Sequence, residues 1–133
     1  MTKAELFIQA WELVITKEDS SLVDKIYHPD YSSFDPVAGV EVNLESDKQV
    51  MLTLRHDLIL TRPMSISETD DVVRLHRYNR YRDIDIFNSI TTTVQYKDGM
   101  IVSQESVIEE LDYDPSEGQD WNWEDFDWKL GAE

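Results

Sequence analysis

The 133-residue sequence contains no cysteine, which excludes disulfides, thiolate catalysis and cysteine-ligated zinc. Basic residues are scarce as well: 12 Lys and Arg stand against 28 Asp and Glu, a formal charge of -16 with a pI near 4.3. A field of that sign repels polyanions, so neither nucleic acid nor an anionic membrane surface is an expected partner. No apolar run approaches the roughly 20 residues that a membrane helix needs. The opening MTKAELFIQAWELV lacks the basic start, uninterrupted apolar stretch and small-residue cleavage site of a signal peptide, so a cytoplasmic protein is expected. No internal repeat and no nucleotide or redox motif is present, and no cofactor is expected. His28, His56 and His76 have no ligand spacing between them, and no metal site is expected either.

What the chain does contain fits one globular domain. Hydrophobic residues make up 41% and charged residues 30%, apolar enough for a real core, and the length matches a single domain of about 100 to 150 residues. Thr2 and Glu5 have the spacing of a capping box, and Leu6, Phe7, Ala10, Trp11, Leu13 and Val14 recur at three and four residues; this predicts a first helix running to about Thr16. Leu22, Val23, Ile26 and Tyr27 predict a short second helix ended by Pro29, followed by an extended stretch over Tyr31 to Phe34 and turn chemistry at Asp35, Pro36 and Gly39. Ser46 and Gln49 repeat the capping-box spacing before Val50, Met51, Leu54, Leu58 and Ile59, a third helix that closes before Pro63.

From Ser65 the apolar period changes to two, and β-branched and aromatic residues predict antiparallel strands over about 65 to 82, 86 to 97 and 100 to 112. Asp98-Gly99 is the strongest turn signal, because a two-residue type I′ turn needs positive φ at both positions. Continued without interruption, that turn sets Thr92 opposite Glu105 and Ile90 opposite Val107 on the inner, apolar face. A three-residue turn at Asp83 to Asp85 would likewise set His76 opposite Thr92; a slip of one residue would turn His76 out and Leu75 in. The fold class is therefore α+β, a curved antiparallel sheet packed on three N-terminal helices over residues 1–112. Residues 113–133 form an acidic tail carrying Trp121, Trp123, Phe126 and Trp128, which either packs on the same domain or serves as a contact for another protein.

This order of elements resembles the nuclear transport factor 2-like superfamily, including its SnoaL-like polyketide cyclase branch. The segments LVDKIYHPDYSSFDPVAG and VQYKDGMIVSQESV carry the resemblance, at the end of the second helix and at the last hairpin. It implies a cone with a pocket at its open end and a homodimer formed through the sheet. Members include isomerases, cyclases, lyases and non-catalytic binding proteins, so the fold alone does not assign a reaction. Asp35-Pro36-Val37 also matches the short stretch that carries the catalytic base of ketosteroid isomerases. In the same comparison Trp11 stands where that family has its oxyanion-hole tyrosine and Thr92 where it has a protonated aspartate, which argues against a steroid isomerase.

The candidate site follows. Asp35 is a general base in one reading and a turn residue in the other. His76, near a carboxylate, could shuttle protons at neutral pH. Trp11, Phe34, Tyr78, Thr92 and Glu105 line the pocket around them. Arg74, Arg77, Arg80 and Arg82 crowd one strand; Arg74 and Arg80 are candidates to hold an anionic group, and pairing with acidic residues across the sheet or a dimer interface is the alternative. Three functional readings stand side by side. In one the protein acts on a small apolar or carbonyl-bearing ligand as a lyase, isomerase or cyclase with Asp35 as base; in the second it is a non-catalytic ligand-binding or scaffolding homodimer; in the third it is a partner-binding module that acts through the acidic tail.

Overall fold

The computed structural model describes residues 1–35 and 38–128; Pro36 and Val37 of the Asp35-Pro36-Val37 stretch and the last residues of the tail lie outside the described residues. Helix α1 (Lys3–Lys17) starts at the expected capping box, with Thr2 and Glu5 each bonding the other's backbone N–H. It buries Phe7, Ala10, Trp11 and Val14 on one stripe. Helix α2 (Ser21–Ile26) leads straight into strand β1 (Tyr27–Asp35), so the chain becomes extended at Tyr27, earlier than the sequence suggests, and Pro29 lies inside a strand. A short strand β2 (Val40–Val42) then folds back on β1.

Helix α3 spans Leu44–Leu54 and differs from expectation at both ends. Its cap is Asn43, whose side chain accepts the Ser46 N–H at 2.9 Å, and not Ser46 itself. Leu58 and Ile59, expected to continue the helix, belong to strand β3 (Leu58–Leu60), which pairs with β5. The stretch expected as one long strand from Ser65 is also two, β4 (Ser65–Glu68) and β5 (Val72–Tyr81). Thr69 turns the chain between them by bonding Val72 through both backbone and hydroxyl.

Strands β6 (Phe87–Lys97) and β7 (Met100–Leu111) complete a curved, unclosed sheet of seven strands in the order β2-β1-β7-β6-β5-β3, with β4 beside β5. It is antiparallel except where β1 and β7 run parallel, a departure from the fully antiparallel sheet expected. The type I′ turn is as predicted, with φ of 54° at Asp98 and 79° at Gly99. Past it, however, the ladder slips by one residue at Val102, so that Gln95 pairs with Ser103 and Thr93 with Glu105. The bulge turns neutral Gln104 inward and charged Glu105 outward, avoiding the desolvation of a carboxylate in the core.

The loop between β5 and β6 is one residue longer than expected, and Leu75 pairs with Thr92 while His76 pairs with Thr91. Burial decides this register too. Val73 and Leu75 go into the core at 0% and 1% exposure, and Arg74 and His76 are spared it. Helices α1 and α3 pack with the inner face around Val73, Leu75, Val94 and Ile101. On the outer face a second cluster forms where Trp123 meets Ile59 and Phe87. Among the described residues, no helix is long and apolar enough to cross a membrane.

Candidate functional site

Between α1, α3 and the inner face of the sheet lies a cavity of about 470 Å³. Phe7, Ile8, Trp11 and Ile15 of α1 form one wall, and Asp47, Met51 and Leu54 of α3 a second. The sheet contributes Arg77 and Asn79 from β5, Ile90 and Thr92 from β6, and Gln104 and Ser106 from β7. Residues 125 to 128 of the tail edge the opening. They are tied there by Arg82, which pairs with Asp127 at 2.6 Å and donates to the His56 carbonyl at 2.8 Å. A mostly apolar chamber of this size with a few polar groups suits a small organic molecule.

The polar groups form connected sets. Trp11 Nε1 donates to the Tyr27 hydroxyl at 2.8 Å, and that hydroxyl donates to Gln104 Oε1 at 2.7 Å. Beside it Tyr31, edge-on to Tyr27 at 4.7 Å, donates to Asp47 Oδ2 at 2.7 Å, and Ser33 donates to the same oxygen at 3.1 Å. Burial raises the Asp47 pKa and the nearby Asp35 charge adds to the rise; the bonds from Tyr31 and Ser33 oppose but do not cancel it. Burial also pushes both tyrosine hydroxyls well above their ordinary range, so they act as donors and not as anions. Thr92 and Ser106 share a hydrogen bond at 2.9 Å. A hydroxyl pair uses one of its two protons internally, and the other is free to bond a ligand oxygen.

The Tyr27 hydroxyl thus satisfies two neighbours at once. Tyr27→Phe would leave Trp11 Nε1 and Gln104 Oε1 unpaired in a low-exposure setting. Its expected loss is about 1–3 kcal/mol of stability, read as a lower urea midpoint with an unchanged slope.

The residues expected from sequence are placed as follows. Trp11 and Thr92 line the cavity, but the Trp11 indole N–H is already given to Tyr27 and does not face a ligand. Asp35 is not among the lining residues: it closes β1, and its carboxylate accepts the Ala38 N–H at 3.1 Å across its own turn. Phe34 points away from the cavity and is 49% exposed. His76 lies on the outer face, bonded to Ser89 at 2.8 Å and edge-on to Tyr78. Tyr78, on that face too, stacks on Trp121 at 6.2 Å. Glu105 is exposed opposite Thr93, turned out by the bulge at Val102. Arg74 and Arg80 share the outer face, where Arg80 lies over the Phe87 ring and pairs with Asp85.

Asp47, not singled out from sequence, and Arg77, named there only as one of four arginines on its strand, take their places. Asp47 carried a legible signal: it precedes Val50, Met51 and Leu54 by three, four and seven residues, which puts a carboxylate on the apolar face of its helix. Arg77 shares strand parity with Val73 and Leu75, whereas Arg74 and Arg80 do not. Its half-buried side chain lines the cavity, and desolvation there lowers its pKa to about 10 against the pull of Glu12.

No protein-family profile and no curated protein matches the sequence. Solved structures do match. IdmH, a proposed polyketide cyclase from Streptomyces antibioticus, aligns at 14% identity and a TM-score of 0.63, covering 81% of this chain and 93% of its own. A proposed isomerase from Rhodopseudomonas palustris aligns at 10% identity and a TM-score of 0.65, covering 82% and 90%. A proposed SnoaL-like polyketide cyclase from Shewanella denitrificans aligns at 14% identity and a TM-score of 0.60, covering 82% and 92%. Identities this low carry a likeness of fold, and they say nothing of shared chemistry.

Proposed function

We propose that this chain, which has the nuclear transport factor 2-like fold in its SnoaL-like form, binds a small, largely apolar carbonyl compound in its cavity and moves a proton on it. The observation that carries the reading is Asp47, a carboxylate of raised pKa at the wall of an apolar chamber. Two of its lone-pair sites are taken by Tyr31 and Ser33, and others remain for a substrate proton. Asp47 takes a proton from the carbon next to the carbonyl, leaving an enolate and a protonated carboxyl group, and returns it to the same or a neighbouring position. The free proton of the Thr92 and Ser106 pair stabilises the enolate oxygen. Isomerisation, ring closure by the enolate and elimination all start from that step. Asp47 thereby takes the role first considered for Asp35.

The test is hydrogen exchange at the carbon next to a carbonyl. With 2-tetralone in D2O followed by proton NMR, the protein is expected to speed deuterium uptake above the buffer rate, and occupation of the cavity by a non-exchangeable apolar competitor is expected to abolish the gain. Binding without faster exchange across a set of bicyclic ketones would remove the catalytic step and leave the non-catalytic ligand carrier.

The homodimer implied by the resemblance would use the outer sheet face beyond the tail, where Arg74, Thr93 and Glu105 lie on one row. A two-fold copy meets a cation and an anion there. Sedimentation at twice the 15.6 kDa chain mass supports this arrangement, and a monomer at high concentration rules it out.

A further inference from the structure

Arg77 differs from the other enclosed cations of the chain. Arg55 reaches Glu18, Arg80 reaches Asp85, Arg82 reaches Asp127, and Lys48 holds both Asp24 and Glu45. The Arg77 side chain makes no hydrogen bond or ion pair among the described residues, although the chain holds 28 acidic groups against 12 basic ones. Glu12, the charge that acts on it, also lines the cavity and pairs with Arg62 at 3.7 Å. A guanidinium presents five N–H donors in a planar fork matched to a carboxylate. Those donors open on the cavity, where a bound carboxylate can satisfy them.

The position on the sheet adds to this. Arg77 pairs in register with Ile90, and Ile90 with Ile108, so the charged fork stands in an apolar row. The next row inward is Leu75, Thr92 and Ser106. A ligand lying along the cavity would meet the guanidinium beside apolar surface and the hydroxyl pair one row deeper. Because the chain as a whole repels anions, an anionic ligand is retained here by this local contact and not by the general field.

We propose that the natural ligand is an apolar carbonyl compound that also carries a carboxylate, and that Arg77 holds this carboxylate. The inference rests on the reading of the cavity as a small-molecule site and adds the ligand class. It is tested by isothermal titration at pH 7 and low salt with two probes of the same ring system, 2-naphthoate and neutral 2-acetylnaphthalene. The protein is expected to bind the carboxylate at least tenfold more tightly than the ketone. Arg77→Met is expected to remove that preference while leaving the ketone affinity within threefold, and Arg77→Lys, which keeps the charge but not the fork, to retain part of it.

Equal affinity for both probes in the unmodified protein overturns the inference and leaves the pocket intact. So does a carboxylate preference that survives Arg77→Met. If neither probe binds, the small-molecule reading falls, and the carboxylate proposal falls with it. The ketone affinity of each variant reports whether its cavity is still formed.

Discussion

Trp123→Ala is expected to lower stability by about 3–5 kcal/mol, the range for truncating a buried indole, and to drop the melting temperature by about 10 °C or more. Trp123 is 7% exposed although it sits far past the last strand. The tail returns to the sheet through a short 3-10 turn (Trp123–Phe126) capped by Asn122 and Asp125. There the Trp123 ring packs against Phe87 at 6.1 Å and meets Trp121 edge-on at 5.2 Å. Its Nε1 donates to Asp114 at 2.9 Å, and Asp114 also accepts both the backbone and the hydroxyl of Ser116. Burial works against the ionised Asp114, but the bonds from Ser116 and Trp123 outweigh it and hold its pKa low. Truncation therefore removes apolar area, opens a cavity over Phe87 and Ile59, and strips one donor from a carboxylate. A midpoint in urea that matched the unmodified protein would mean the tail adds nothing to the domain. Its aromatic residues would then be available for contact with another protein.

The parts of this fold set by local chemistry were legible, and those set by burial were not. Thr2 and Glu5 mark α1 because a capping box is complete within four residues. Asp98-Gly99 marks its turn for the same reason. The spacing of Ser46 and Gln49 misplaced the start of α3; Asn43 is the cap because β2 delivers the chain to it in extended form. Both errors of register are single-residue shifts. Val72 and Val73 are adjacent apolar residues, as are Ile101 and Val102, so alternation did not say which of each pair faces in. The choice falls to the charged residues that follow, because a core tolerates Leu75 and Gln104 better than His76 and Glu105.

Those two shifts move most of the candidate site. His76, Glu105 and Tyr78 leave the cavity together, and Arg77 enters it in place of Arg74 and Arg80. Asp35 lies outside the cavity lining for a different reason. Its assignment depended on a three-residue match, whereas the placement of a carboxylate in this cavity depends on the face of α3, which only the helix period reveals.

Asp47→Asn separates that assignment from the Asp35 alternative and has the largest expected effect on activity. Loss of a general base lowers proton transfer by about 100- to 10,000-fold, so exchange of 2-tetralone is expected to fall to the buffer rate. Asp35→Asn, at a turn outside the cavity, is expected to leave it within about threefold. Stability should move the other way. Burial raises the Asp47 pKa above the ordinary carboxylate value, so the folded state binds more protons than the unfolded chain between those two values. Stability then falls as pH rises through that interval, and the deficit persists at neutral pH. An asparagine carbonyl still accepts from Tyr31 and Ser33 without the buried charge, and Asp47→Asn is expected to gain about 1 kcal/mol at pH 7, a gain that vanishes near pH 3. Thermal melts at the two pH values read this directly. A functional carboxylate held at the expense of stability predicts an inactive but more stable variant, whereas a variant both inactive and less stable would make Asp47 a structural residue and end its role as the base.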